Sequence, residues 1–337
     1  MNTRHDFEQY LMRLYARSRE WAYPTASLEV FRSWQRSARR GLLRLLTMER
    51  RERVPLNLRR QVVEETAEYT RERLYYDTLP GITVPAFLLT PKGVRLPAPA
   101  VLCPPGHGFG MHQVLDETPG IYKEYPKALA RRGMVALVPE HLGFGERVGE
   151  EDDSRRSSHL YNYLVLNLLG ESQQGLFVWD LMCALDVLEA LPEVRANRIG
   201  CYGLSLGGET TLLLAAADKR VKVACISGFL TSYLSCFFDQ AHCGCGYSFA
   251  LARYLEMVDL AALIAPRPLL IESATADPIF FIDDAQKVFA ELQALYTMLG
   301  VPDHVQQDVF VGDHEISGAV AYDWLARELR AKPPVRV

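Results

Sequence analysis

The chain has 337 residues, 49% of them hydrophobic and 23% charged, an ordinary balance for a folded globular protein. Lys plus Arg total 37 against 41 Asp plus Glu, and the net charge of −4 argues against a general nucleic-acid binder. No apolar run approaches the roughly 18 residues of a membrane span, and the opening MNTRHDFEQY has no secretory apolar stretch.

Residues 1–66 read as a helical arm. Phe7, Leu11, Leu14 and Tyr15 share one helical face, and 28–46 runs on without proline. The arm is expected to act as a lid or as a contact in a homo-oligomer. Its arginines (Arg36, Arg39, Arg40, Arg44, Arg50, Arg51 and Arg53, then Arg59 and Arg60) read as a solvated face or a subunit contact. Residues 67–337 form the second unit. There, 73–76 and 84–90 flank Leu79-Pro80-Gly81, a hairpin signal. Strands at 100–103, 134–138, 199–202, 221–226, 268–271 and 305–311 then alternate with helices at 121–132, 176–191, from Leu206, 284–299 and 319–329. This predicts an α/β domain, a mainly parallel sheet with helices on both faces. Two stretches, about 140–175 and 228–262, break the rhythm. Both follow strand C-termini, where open α/β sheets bind their ligands. Seven cysteines, three of them in strand-like runs (Cys103, Cys201, Cys225), fit buried thiols in a reducing, cytoplasmic setting.

GLSLGG, residues 203–208, stands between the 199–202 strand and an Ala/Leu-rich helix. G-x-S-x-G at a strand-to-helix junction makes a tight, strained turn that projects the serine hydroxyl above the sheet. Gly203 and Gly207 lack Cβ atoms that would meet neighbouring backbone. The N–H of Leu206, at a helix N-terminus, suits a developing oxyanion. Ser205 is therefore read as a nucleophile, and a serine hydroxyl needs a base. Hydrolases built on such a turn carry serine, acid and histidine in that chain order. His314, in VGDHE directly after the last strand, and Asp277, in the loop after the 268–271 strand, occupy those places. His304 lies at the opposite end of the last strand, and His141 precedes the serine and is kept as a substrate-side candidate. Glu272 lies inside a strand, Asp283 and Asp284 begin a helix, and Asp313 is too close in the chain to face the His314 ring. A second oxyanion donor is expected from the 104–110 loop, PPGHGFG. One register makes it the N–H of His107, the other that of Phe109, and the first is preferred.

The segments LCPPGHGFG, VALVPEHLGFGER, RIGCYGLSLGGE, HCGCGY, LIAPRPLLIESATADPIF and VGDHE together resemble the α/β-hydrolase superfamily over about 70–330. Within it the chain is similar to the dienelactone hydrolase and acetylxylan-esterase-like branch of bacterial serine esterases. The resemblance implies an α/β-hydrolase fold and ester hydrolysis through an acyl-enzyme on small-acyl, acetyl-like esters. It assigns Ser205 as nucleophile, Asp277 as acid and His314 as base. Two departures stand out. A serine replaces the cysteine of dienelactone hydrolases proper, and Pro105 stands where relatives carry the histidine of His-Gly. A lactone hydrolase, a peptidase or amidase with the same triad, and a non-catalytic scaffold are the competing readings. The expected partner is a small-molecule ester, with neither metal nor organic cofactor. AHCGCGY, 241–247, is read as a loop lining the pocket, because His242, Cys243 and Cys245 lack the spacing and the second pair of a zinc motif. A disulfide from Cys236 to Cys243 or Cys245 is disfavoured in a reducing compartment.

Overall fold

The computed structural model describes residues 6–49, 51–115, 120–148 and 158–330. Two helices lead, α1 (Asp6–Tyr15) and α2 (Leu28–Leu45). Ser27 caps α2, its hydroxyl oxygen accepting the Val30 N–H at 3.2 Å. Phe31, Ala38 and Leu42 form the buried stripe of α2, and Leu46 and Met48 extend it. All five join the largest apolar cluster of the protein, so this segment is part of the main core.

Part of the arginine-rich stretch is correspondingly tied down. Arg39 donates to the carbonyls of Ala216 and Leu263, both at 2.7 Å. Arg51 pairs with Glu171, Arg53 with Asp186, and Arg60 with Glu72 and Glu193. These side chains bind the chain to itself, whereas Arg36, Arg40, Arg44 and Arg59 are exposed, as a solvated face requires; Arg50 lies outside the described residues. The helical reading of 1–66 needs a second correction, because Arg59–Glu65 is a strand, β1. Nearly all its residues are exposed, so it shows no apolar stripe. β-branched Val62 and Val63 and pairing with the next strand decide its conformation.

β1 pairs antiparallel with β2 (Tyr69–Leu79), and β2 with β3 (Ile82–Pro91) across the two-residue turn Pro80-Gly81. Then follow β4 (Ala98–Leu102), the short helices α3 (Met111–Val114) and α4 (Tyr125–Ala130), β5 (Val135–Pro139), α5 (Ser158–Leu168), α6 (Gln173–Ala190), β6 (Val194–Leu204) and α7 (Leu206–Ala217). After β7 (Val221–Ser227) come α8 (Leu251–Tyr254), α9 (Met257–Ala262), β8 (Leu269–Ala274), α10 (Ile282–Met298), β9 (Val305–Phe310) and α11 (Ala321–Leu329). α4 is shorter than the 121–132 segment suggests. Lys123 and Glu124 have φ of 47° and 49°, outside the helical region, and Pro126 then opens the helix.

The strands form one nine-stranded sheet among the described residues, ordered β1-β2-β3-β5-β4-β6-β7-β8-β9. β5 through β9 are mutually parallel. Alternate residues of one strand enter opposite cores. Ala100 and Leu102 pack with α2, α6 and α7, whereas Val101 and Cys103 pack with α4 and α11. Both faces are thus covered, as the alternation and the α/β-hydrolase resemblance imply. No helix among the described residues is long and apolar enough to cross a membrane.

Because Leu42 is fully buried, Leu42→Ala is expected to cost about 2–5 kcal/mol of unfolding free energy, measured by urea titration. An arm packed loosely on the surface would instead leave the midpoint unchanged.

Candidate active site

β6 ends at Leu204 and α7 begins at Leu206, so Ser205 alone makes the turn, with φ 60° and ψ −124°. A side chain held in that region costs about 1–3 kcal/mol and persists only where the surroundings impose it. Here they do. The Ser205 N–H donates to Ser227 O, at the end of β7, at 3.1 Å. A Cβ at Gly203 would lie 2.4 Å from Gly207 O, and one at Gly207 would lie 2.3 Å from Pro104 O. The turn therefore closes on itself and against the loop leaving β4, as only glycine allows.

Asp277 and His314 meet beyond the ends of β8 and β9. Asp277 Oδ2 accepts from His314 Nδ1 at 2.8 Å, and its Oδ1 accepts the N–H groups of Ile279 and Phe280 at 2.9 and 3.0 Å. Burial pushes this carboxyl up, but the His314 bond and charge and the two N–H donors outweigh it and hold it below its ordinary value. Phe280 stacks on the His314 ring at 5.5 Å. His304 is elsewhere, its Nδ1 bonded to Pro266 O at 2.8 Å. His141 is buried beside Thr210 and Phe177, and burial lowers it to about 3, so it stays neutral in the core and faces no substrate.

Ser205, Leu206, His107 and His314 share the wall of one cavity of about 380 Å³, with Phe237, Ile279 and Phe280 among its apolar lining. His242, Cys243 and Cys245 line it too, and all seven cysteines are free thiols. Tyr163 and Tyr247 line a separate cavity beside Trp21. Glu209 also reaches the Ser205 cavity, and sequence reasoning missed it. It stands in the first turn of α7 behind the serine, and burial raises its carboxyl well above the usual range, against a hydrogen bond from Gln174.

The loop after β4 separates the two oxyanion registers. Phe109 is 83% exposed, lines a different cavity with Arg73 and His112, and donates its N–H to Gln113 Oε1 at 3.0 Å. The Gly106 N–H is taken by the Tyr122 hydroxyl. His107, between them, lies on the Ser205 cavity. Glu140, also unforeseen, secures this loop. Its buried carboxyl accepts the Met111 N–H at 3.0 Å and the Glu146 N–H at 3.4 Å. Burial nevertheless dominates and raises it from 4.5 to about 7.

The raised value sets a pH dependence. Between about pH 4.5 and 7 the unfolded chain releases the Glu140 proton before the folded one does, so stability falls as pH rises through this window. The loss reaches up to about 3 kcal/mol above it. Glu140→Gln keeps an acceptor without the charge. The melting temperature of this variant relative to the unsubstituted protein is expected to climb from pH 5 to pH 8; a constant difference would show that Glu140 ionises normally.

The fold is shared with solved structures of low sequence identity. One from Bacteroides fragilis NCTC 9343, named a "putative acetyl xylan esterase", superposes with a TM-score of 0.76 at 17% identity, covering 97% of this chain and 90% of that one. Methylesterase BT1017 gives 0.68 at 22% identity, covering 96% of this chain and 67% of that one. By sequence, "Putative hydrolase YtaP" of Bacillus subtilis (strain 168) is 28% identical over 280 residues, 80% of this chain and 90% of that protein. Residues 14–236, which carry β1 to β7 and the serine turn, match the Abhydrolase family, and the chain belongs to that family.

Proposed function

We propose that the protein is a serine carboxylic-ester hydrolase that works through an acyl-enzyme on esters of small acids. One observation carries this reading: Ser205, in a conformation that serine rarely adopts, shares a cavity with a His314 ring tied to the buried Asp277 carboxylate. With Nδ1 engaged, His314 presents Nε2 as the base. It takes the Ser205 proton while Oγ bonds to the ester carbonyl carbon and the carbonyl π pair moves onto oxygen. The N–H groups of Leu206 and His107 meet that oxyanion. The Phe109 register is the weaker one, since its N–H is already bonded to Gln113. Collapse breaks the bond to the alcohol, which leaves with the proton from His314. Water then gives its proton to His314 and attacks the acyl carbon; collapse breaks the acyl–Oγ bond, and His314 returns the proton to Ser205 Oγ as the acid leaves. Asp277 remains ionised throughout, orienting the ring and stabilising the imidazolium.

A cavity of about 380 Å³ walled by Phe237, Ile279 and Phe280 favours a short acyl group. The esterase names carried by the two structural neighbours agree with the bond chosen.

On p-nitrophenyl esters from acetate to decanoate, turnover should be fastest on the short chains. Ser205→Ala should lower kcat by about 10⁴–10⁶-fold, and Asp277→Asn by about 10³–10⁴-fold. Turnover that survives in Ser205→Ala, or none on any ester with the intact protein, would sink this reading.

A further inference from the structure

Three segments far apart in the chain meet beside the cavity: the 104–110 and 241–247 loops, which line it, and α5, which packs against them. They bring His107 Nε2, His159 Nε2 and Cys243 Sγ within 4.8 Å of one another. The two ring nitrogens face each other at 3.1 Å. The rings stand at 83°, with centroids 4.6 Å apart. Buried Phe144 orients both, stacked on His159 at 4.8 Å and edge-on to His107 at 5.1 Å. α5 presses closely on the cysteine loop, since a Cβ at Gly244 would lie 2.5 Å from Tyr163 Cδ1. The three donors are therefore placed by packing as well as by each other.

With one ring protonated at Nε2 the two nitrogens share a hydrogen bond, and an ion would take the place of that proton and leave both lone pairs as ligands. A tetrahedral ion with metal–nitrogen bonds of about 2.0–2.1 Å sets its nitrogen ligands roughly 3.3 Å apart. The observed spacing is already close to this. Two imidazoles and a thiolate make a borderline-soft donor set suited to zinc, and three protein ligands with a fourth position open is a known zinc arrangement. We propose that His107, His159 and Cys243 form a zinc(II) site whose fourth position opens to the cavity, and that the ion clamps the three segments together. The site does not rest on the hydrolase reading. It draws one ligand from the 241–247 stretch, whose internal spacing offered none, and recruits the other two through the fold. His242, adjacent to Cys243, is not in the cluster; its Nε2 faces Cys236 Sγ at 3.7 Å.

Cobalt(II) is the spectroscopic probe. Full-length protein is stripped with EDTA, kept reduced with a phosphine and titrated with Co²⁺, with Zn²⁺ in competition. The expected result is one equivalent of Co²⁺, a thiolate-to-cobalt charge-transfer band and strong tetrahedral visible bands, all abolished by one equivalent of Zn²⁺. Cys243→Ser should remove the charge-transfer band. His159→Gln should weaken binding by more than about 100-fold, beyond the effect of losing an outer-shell partner. His242→Gln should leave stoichiometry and spectrum unchanged. Apo-state circular dichroism checks the fold of each variant. The unsubstituted protein decides the matter by itself, because a titration without a thiolate–cobalt band overturns the site whatever the variants do. A band that persists in Cys243→Ser, or is lost in folded His242→Gln, overturns the ligand assignment.

Discussion

The approach of Gly207 to the carbonyl of Pro104 sets the geometry of the cavity. Because position 207 has no Cβ, the first turn of α7 can rest against the loop that leaves β4. That contact puts two separate backbone segments, 104–110 and the start of α7, on the same side of Ser205. The strained serine between them needs a rigid frame. β6 lies inside the sheet, with parallel partners β4 and β7 on either side. The bond from Ser205 N–H to Ser227 O extends this pairing into the turn itself. The cost of φ 60° is thus met by sheet interactions that form only when β6 and β7 are in register.

Three carboxyl groups around this frame differ in state because their surroundings differ. Asp277 is buried, yet His314 and two N–H donors keep it ionised. Glu140 also accepts N–H donors, but burial prevails and leaves it near half-protonated at neutral pH. Glu209, helped only by Gln174, is raised well above the usual carboxylate range by burial. The consequence is electrostatic order. The fixed negative charge sits behind the imidazole, where it favours the imidazolium. The carboxyl that lines the cavity is the one whose charged form burial disfavours most strongly.

Much of this was legible in the chain. The alternation of apolar runs gave β4 to β9 within a few residues, and strand-to-helix flanks marked Ser205. The positions of Asp277 and His314 after the last two parallel strands singled them out as partners, and the structure does bring them together. What escaped depends on contacts rather than on local pattern. β1 carries no buried face to betray it. Arg39 and Arg51 look like surface residues until their carbonyl and carboxylate partners are known. Glu140 and His159 have no motif, because their neighbours in space, Met111 and His107, come from another loop.

The APRPLL run acquires a physical meaning in the same way. Arg267 donates to Ala215 O, and Arg39 from α2 donates to Ala216 O, so two guanidinium groups satisfy the last carbonyls of α7. Burial lowers Arg267 only to about 10, so it remains charged. Cations at a helix C-terminus complement its dipole and fix the direction of its axis. The opposite end of that helix is the N-terminus at Ser205. Helix α2 and the loop before β8 therefore hold the far end of the element whose near end carries Ser205. Neither α2 nor that loop contributes a residue to the cavity wall. The loops at 104–110, 236–246 and 279–280 form that wall, so selectivity can change there without disturbing the axis on which Ser205 is carried.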